Sequence, residues 1–271
     1  LPLRPVAERL NDFDEVVMRL DDEWAMAEAE RCIHCPDPAP CQKACPAGND
    51  ISYAVWLIEK GEFTQAAGVY RQSSSLPEVC GRICPQERLC EGACVRGKKG
   101  ELPVPTGALE AFCTHFERRM LGVRIPVGKF TGKKVAIIGG GPAGLACAEQ
   151  LVRHVHWVTI FDARPAPGGL LTYGIPNFKL PKRVVFDIWD DLLRAGITFV
   201  GNTYIGPSIT VEKLFTGGYD AVFVGVGTTV DLSLNVPGED LPGIYKATDF
   251  LVRANVSMDL LPHDMCNRPE V

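Results

Sequence analysis

Residues 134–151 read KVAIIGGGPAGLACAEQL: a short β-branched run enters a glycine triplet and leaves as a helix-forming segment. Gly139, Gly141 and Gly144 stand in the order G-x-G-x-x-G, with Pro142 and Ala143 filling the last gap. Between a strand and a helix, such glycines allow a tight turn, close approach of backbone to a pyrophosphate, and close helix–strand packing. The first amides of the helix then face the phosphate with a favourable dipole. A second strand, VTIFD, ends at Asp162, eighteen residues past Gly144, where an acid suits a ribose hydroxyl. A plain strand–turn–helix with incidental glycines is the competing reading of the triplet alone. The fingerprint does not separate FAD from NAD, because both dinucleotides use it.

Downstream the pattern keeps alternating. A helix is expected from about Ala143 to Arg153, and Val184, Val185, Ile188, Leu192 and Leu193 mark an amphipathic one before a strand at Ile197–Val200. Tyr219–Val224 (YDAVFV) reads as another buried strand. Strand and helix in alternation predict a parallel α/β sheet. Upstream, residues 122–132 (GVRIPVGKFTG) are rich in Gly and Pro and read as a linker.

Before that linker the chain is of another kind. Eight of the eleven cysteines fall between Cys32 and Cys94, in a segment that reads as short helices and loops. Asp21-Asp22-Glu23 supplies acids for a helix start before Trp24–Arg31. Asn49 or Asp50 can cap a helix with Ile51, Tyr53, Val55 and Ile58 on its apolar side, stopped near Gly61. Thr106 is expected as the N-cap of a helix to about Leu121, with Leu109, Phe112, Cys113 and Phe116 on one buried stripe.

The cysteines form two groups, C-x2-C-x5-C-x3-C-P (Cys32, Cys35, Cys41, Cys45) and C-x3-C-P-x4-C-x3-C (Cys80, Cys84, Cys90, Cys94). Structural zinc prefers two close C-x2–4-C pairs, and the second group has no C-x2-C knuckle. The C-P steps instead match iron–sulfur ligand runs, in which the last cysteine of a run serves the other cluster. Two [4Fe–4S] clusters are therefore expected, with zinc and disulfides as the weaker alternatives. His34, between two ligands, is expected to be a polar neighbour rather than a ligand. Cys113, Cys147 and Cys266 lack partner spacing and are expected to be buried, inert thiols.

Order and spacing together (RCIHC…C…ACPAGNDI, then VCGRICPQERLCEGACV, then the glycine loop and PGGLLTYGIP) resemble the glutamate synthase small (beta) subunit family. Ferredoxin:NADP oxidoreductase large subunits and dihydropyrimidine dehydrogenases share that architecture. The resemblance implies an α+β multidomain fold: an N-terminal α-helical two-cluster [4Fe–4S] domain over 1–121, then a Rossmann-like α/β FAD-binding domain over 133–271, incomplete in this chain. It implies crossed ligation, with Cys32, Cys35, Cys41 and Cys94 on one cluster. Cys45, Cys84, Cys90 and the carboxylate of Glu110 would hold the other, leaving Cys80 without iron. The rival pairing assigns each group of four cysteines its own cluster.

For the flavin, the resemblance carries over Gly168, Gly169, Leu170, Leu171, Tyr173, Gly174, Ile175 and Pro176, and with them Lys182. Gly227 and Thr228, in VFVGVGT, correspond to a second approach of the chain to the cofactor, although the family more often has an Ala-Thr-Gly type turn there. The family carries Glu where Asp162 stands. A second G-x-G-x-x-G/A domain, for NAD(P)H, comes next in the family. Residues 230–271 offer no such fingerprint, so a fragment of a longer protein is expected, with a naturally short relay subunit as the alternative.

The function implied is electron transfer from NAD(P)H through FAD and the clusters to a partner. That partner is a larger redox or amidotransferase subunit making glutamate from 2-oxoglutarate and glutamine, or a ferredoxin-type carrier. The second reading is a relay subunit of another redox complex, without its own nicotinamide site. The cofactors carry such chemistry, so no catalytic acid, base or nucleophile is expected from the chain. Composition agrees. With 23% charged and 46% hydrophobic residues, the 271-residue chain has an ordinary globular balance. A formal net charge of −5 gives no reason to expect nucleic acid. With no apolar run long enough to span a bilayer and no secretory signal, a cytoplasmic protein is expected.

Overall fold

The structure, a computed structural model, describes residues 2–125, 131–206, 209–228, 230–262 and 265–266. Linker residues 126–130 lie outside the described residues. The chain divides into two units, residues 1–123 with 178–180, and residues 124–177 with 181–271.

The first unit is helical: α1 (Val6–Arg9), α2 (Asp22–Glu30), α3 (Pro40–Ala44), α4 (Ile51–Glu59), α5 (Phe63–Ser73), α6 (Pro77–Ile83), α7 (Val95–Lys98) and α8 (Thr106–Leu121). The Asp21 carboxylate caps α2 by accepting from Trp24 N at 2.8 Å, and Asp50 caps α4 by accepting from Tyr53 N at 3.1 Å. Each cap satisfies an amide that the helix itself leaves open, worth about 1 kcal/mol. Ile51, Val55 and Ile58 of α4, Phe63, Ala67 and Tyr70 of α5, and Leu109, Phe112 and Cys113 of α8 form one buried core. Phe63 meets Phe112 and Phe116 edge-on, at 4.9 and 5.0 Å between ring centres. Each such large apolar side chain stabilises the fold by about 1.5–3 kcal/mol.

Two expectations for this unit need correction. Tyr53 is 48% exposed and stacks on Trp56, outside the buried side of α4. It follows Ile51 by two positions, about 200° around a helix, which carries it off the core-facing stripe. Thr106 is the first helical residue rather than the N-cap of α8, whose start has no side-chain cap. Its hydroxyl is engaged elsewhere, as described below.

Beneath the core, Glu78 of α6 is 3% exposed and gathers two guanidinium groups. Arg71 of α5 reaches its Oε1 at 2.9 Å and Arg118 of α8 its Oε2 at 2.9 Å. Arg71 also pairs with Glu117 at 2.7 Å. Three helices are thereby tied in one register.

The second unit is a four-stranded parallel sheet in the order β3-β2-β1-β4. Its elements are β1 (Lys134–Ile138), α9 (Pro142–Arg153), β2 (Trp157–Phe161), α10 (Leu170–Tyr173), α11 (Lys182–Arg194), β3 (Thr198–Val200), α12 (Val211–Thr216), β4 (Ala221–Val224) and α13 (Ala247–Asn255). Ile138 stands in register with Phe161 on one side and Val224 on the other. The strand order runs outward from β1 to β3 and then restarts on the far side with β4. That reversal opens a crevice at the carboxyl ends of β1 and β4, where such sheets bind ligands.

Val185, Ile188 and Leu192 bury the inner face of α11, joined by Trp189. Leu193, expected on that face, is 44% exposed, because the helical step after Leu192 turns it about 100° away. Among the described residues no helix is long and apolar enough to cross a membrane.

Candidate cluster and dinucleotide sites

The loop after α2 and the start of α3 carry Cys32, Cys35 and Cys41, and the turn before α7 carries Cys94. All four line one cavity, holding about 450 Å³ of atom-free space that includes open solvent. Ile51 and Val55 of α4, Val104 and Thr106 share its wall. Burial pushes the Cys32 thiol above its ordinary range and Cys41 up to about 12, while the His34 amide donates to the Cys32 sulfur. Unmetallated thiols in such a setting stay protonated, whereas bound iron would take them as thiolates. The His34 ring donates outward to Glu59 Oε2 at 2.8 Å, so it is a polar neighbour in an exposed pair. Among the described residues no three His, Cys, Asp or Glu side chains are grouped as a single metal ion would need. A cubane, by contrast, presents separate iron corners to its ligands.

The remaining residues gather around the end of α6. Cys84 is the C-cap of that helix, within electrostatic reach of Cys45, Cys90 and Glu110. Cys80, one turn earlier, hydrogen-bonds the Cys84 sulfur; this holds Cys84 below the ordinary thiol range and Cys80 above it. The Ser74 hydroxyl lies 3.8 Å from Cys80 Sγ. Glu110, on the inner side of α8, is 8% exposed, and its Oε1 is buried with no hydrogen-bond partner among the described residues. Burial first, and then Cys80, hold its carboxyl well above the usual range. A bare buried carboxyl oxygen is costly unless something binds it, and a metal corner among these thiols fits that need. Thr106 donates from Oγ1 to Cys90 Sγ at 3.0 Å.

All eleven cysteines are free thiols, so no disulfide staples these groups. Cys113 is fully buried as expected, whereas Cys147 and Cys266 are only half-buried.

In the second unit the glycine turn sits at the crevice where β1 meets β4. Gly139 has φ +102°, and a Cβ there would stand 2.5 Å from the Gly225 carbonyl oxygen. A Cβ on Gly144 would stand 1.9 Å from Gly139 O, so the chain's own packing requires both glycines. Gly141 is the N-cap of α9, which begins with Pro142 and Ala143 and has no side-chain cap. Its first amides are thus left for an anion, which is the fit a pyrophosphate requires. Asp162 accepts from Gly140 N at 2.6 Å through Oδ2 and from Arg164 N at 2.7 Å through Oδ1. A carboxylate has about four lone-pair sites, so capacity for a hydroxyl donor is left.

The Gly168-Gly169 turn lies directly against that loop. Gly168 N donates to Gly140 O at 2.7 Å, and a Cβ on Gly169 would stand 2.7 Å from Gly141 Cα. Leu171 and Tyr173 of α10 are buried, and the Tyr173 hydroxyl accepts from Ala166 N at 3.0 Å. Leu170 is 53% exposed, while Gly174, Ile175 and Pro176 are half-buried. The Lys182 ammonium donates to the carbonyl oxygens of Leu171, at 3.1 Å, and of Ile175, bracing this turn from beneath. Burial lowers its pKa to about 8. Gly227 has φ +68° and Thr228 is exposed, and the nearer approach to the glycine turn is made by Gly225.

Three contributors escaped the sequence reading. Thr106 donates to the Cys90 sulfur and Ser74 pairs with that of Cys80, and neither stands at a ligand spacing. Arg164 lays its guanidinium over Tyr173, 4.7 Å from the ring centre, two residues past the acid.

Residues 9–121 match the family described as dihydropyrimidine dehydrogenase domain II, 4Fe-4S cluster, and residues 137–192 match the NAD(P)-binding Rossmann-like domain. The chain is 44% identical over 247 residues to UacF of Escherichia coli, covering 90% of this chain and 38% of UacF. It is 43% identical over 256 residues to the glutamate synthase [NADPH] small chain of Halomonas elongata, covering 94% of this chain and 53% of that protein. The Escherichia coli glutamate synthase [NADPH] small chain is 41% identical over 257 residues, 93% of this chain and 53% of its own length. The chain spans about half the length, or less, of these relatives.

Proposed function

We propose that the chain, a member of the glutamate synthase small-chain-like family, is the iron–sulfur and flavin portion of an NAD(P)H-dependent oxidoreductase of the glutamate synthase small-subunit type. When bound, FAD accepts a hydride as an electron pair and [4Fe–4S] clusters carry single electrons onward to a partner subunit. In this reading Cys32, Cys35, Cys41 and Cys94 hold one cluster, and Cys45, Cys84, Cys90 and Glu110 hold the other. The amides of Gly141, Ala143 and Gly144 take the pyrophosphate, Asp162 takes a ribose hydroxyl, and the Gly168–Pro176 turn, braced by Lys182, lies along the flavin. The chain's residues bind, orient and tune, and none is asked to move a proton to substrate. A cytoplasmic setting, where thiols stay reduced, belongs to the same reading.

The observation that supports it most is the cavity wall. Three cysteines of the first sequence group and one of the second share it, as crossed cluster ligation requires. The orphaned Glu110 oxygen supports the second ligand set in the same way. The test is an anaerobic titration of the full-length protein that carries this chain. NADH or NADPH should bleach the flavin and then the cluster absorbance; a flavin left oxidised by both refutes the proposal. The acceptor is an amidotransferase subunit in this reading, with a ferredoxin-type carrier protein as the alternative. Co-purification of the native complex distinguishes the two.

A further inference from the structure

We propose that Thr106 sets the reduction potential of the cluster site built on Cys90, by donating its hydroxyl proton to the Cys90 sulfur; this rests on the reading that Cys90 is a cluster ligand. The Oγ1–Sγ distance is 3.0 Å and Thr106 is 5% exposed, so solvent does not compete for the bond. Thr106 is the first residue of a 16-residue helix whose N-cap is Pro105, and its hydroxyl makes no cap bond. The hydroxyl is spent on sulfur instead. Thr106 also lines the cavity shared by Cys32, Cys35, Cys41 and Cys94, while its hydroxyl is turned to Cys90.

The direction of the effect follows from charge. Reduction adds one electron to a cluster and places part of that charge on its thiolate sulfurs. A donor to sulfur stabilises the reduced form more than the oxidised one, and so raises the potential. With Thr106 itself buried, the bond is stronger than it would be in water. At the neighbouring site the Cys32 sulfur takes a backbone N–H from His34, which side-chain substitution leaves in place. A hydroxyl on Cys90 therefore tunes one site without the other.

The test compares Thr106→Val, which keeps the shape but loses the donor, with Thr106→Ser, which keeps the donor. Both are made in the full-length protein and followed by EPR-monitored redox titration with iron analysis. Thr106→Val should titrate more negatively at one cluster, with the reduced-to-oxidised ratio at the wild-type midpoint falling about tenfold, or ~59 mV for one electron. Thr106→Ser should match wild type, and the second cluster should hold its potential in both variants. A wild-type potential in iron-replete Thr106→Val overturns the proposal. So does loss of iron in Thr106→Val and Thr106→Ala alike with Thr106→Ser intact, because the hydroxyl would then serve assembly. A wild-type protein without iron would instead remove the cluster reading itself, and this proposal with it.

Discussion

Gly81 of α6 meets Ala111 of α8 so closely that a Cβ placed on Gly81 would stand 2.6 Å from the Ala111 amide nitrogen. The Gly107 carbonyl oxygen, one turn earlier on α8, would be 2.8 Å away. Both neighbours are helix backbone and cannot yield as a flexible side chain would. The contact falls between Cys80 and Cys84 on one helix and beside Glu110 on the other. Gly81→Ala should therefore push the helices apart, costing about 1–3 kcal/mol of stability through overpacking. It should also lower the iron retained per chain. Urea unfolding with iron analysis checks both, and wild-type values in each would mean that the helices have slack.

Cys80→Ala removes the donor to Cys84 but no proposed ligand. The variant should keep its full iron content, with the spectrum of one cluster altered. Loss of four irons per chain would put Cys80 in the ligand set and sink the crossed assignment. Iron and acid-labile sulfide analysis of the purified protein decides between them.

Asp162→Asn replaces one acceptor oxygen by an NH2 group, although two backbone amides, Gly140 and Arg164, both need an acceptor there. Losing a hydrogen bond to a charged group costs about 1.5–3 kcal/mol. The glycine turn should loosen and flavin should leave more readily. The measurement is FAD retained after desalting, set beside the unfolding midpoint. Unchanged values for both would show that neither amide depends on the carboxylate.

Lys182 gives a pH signature whose sign is fixed. Burial lowers its pKa to about 8 from an ordinary 10.5. Between those values the unfolded chain still binds a proton that the folded chain has released, so this group makes stability rise with pH across the window. Below about pH 8 both states are protonated and the burial penalty is constant. The unfolding free energy of wild type minus that of Lys182→Met should therefore climb from about pH 8 to 10.5. Parallel profiles for the two proteins would assign the titration to another group.

Much of the second unit was legible because its logic is local. A β-branched run, three glycines and a helix lie within residues 134–151, and Gly139 and Gly144 are demanded by contacts inside that stretch or at its nearest strand. The assignment of the PGG turn to a flavin rests on likeness alone, and its packing onto Gly140 and Gly141 is set by tertiary structure that no local pattern encodes. In the first unit, spacing shows that Cys32, Cys35 and Cys41 act together, but nothing in spacing brings Cys94 to them. That pairing depends on how α4 and α8 pack beneath the loops. Thr106 and Tyr53 were misread for a related reason. N-cap preference and apolar character describe what a residue can do, and tertiary neighbours decide which option it takes. Thr106 had a sulfur within reach, and Tyr53 had Trp56.

The cavity that joins Cys94 to Cys32, Cys35 and Cys41 has a consequence for how the protein is made. A cluster held there clasps together two points of the chain about fifty residues apart, and closing so long a loop removes freedom from the unfolded chain much as a disulfide would. Its binding free energy then becomes folding free energy. On the ribosome, the first three thiols emerge well before the fourth and must wait for it. Iron delivered early would meet an open clasp; iron delivered after residue 94 closes it.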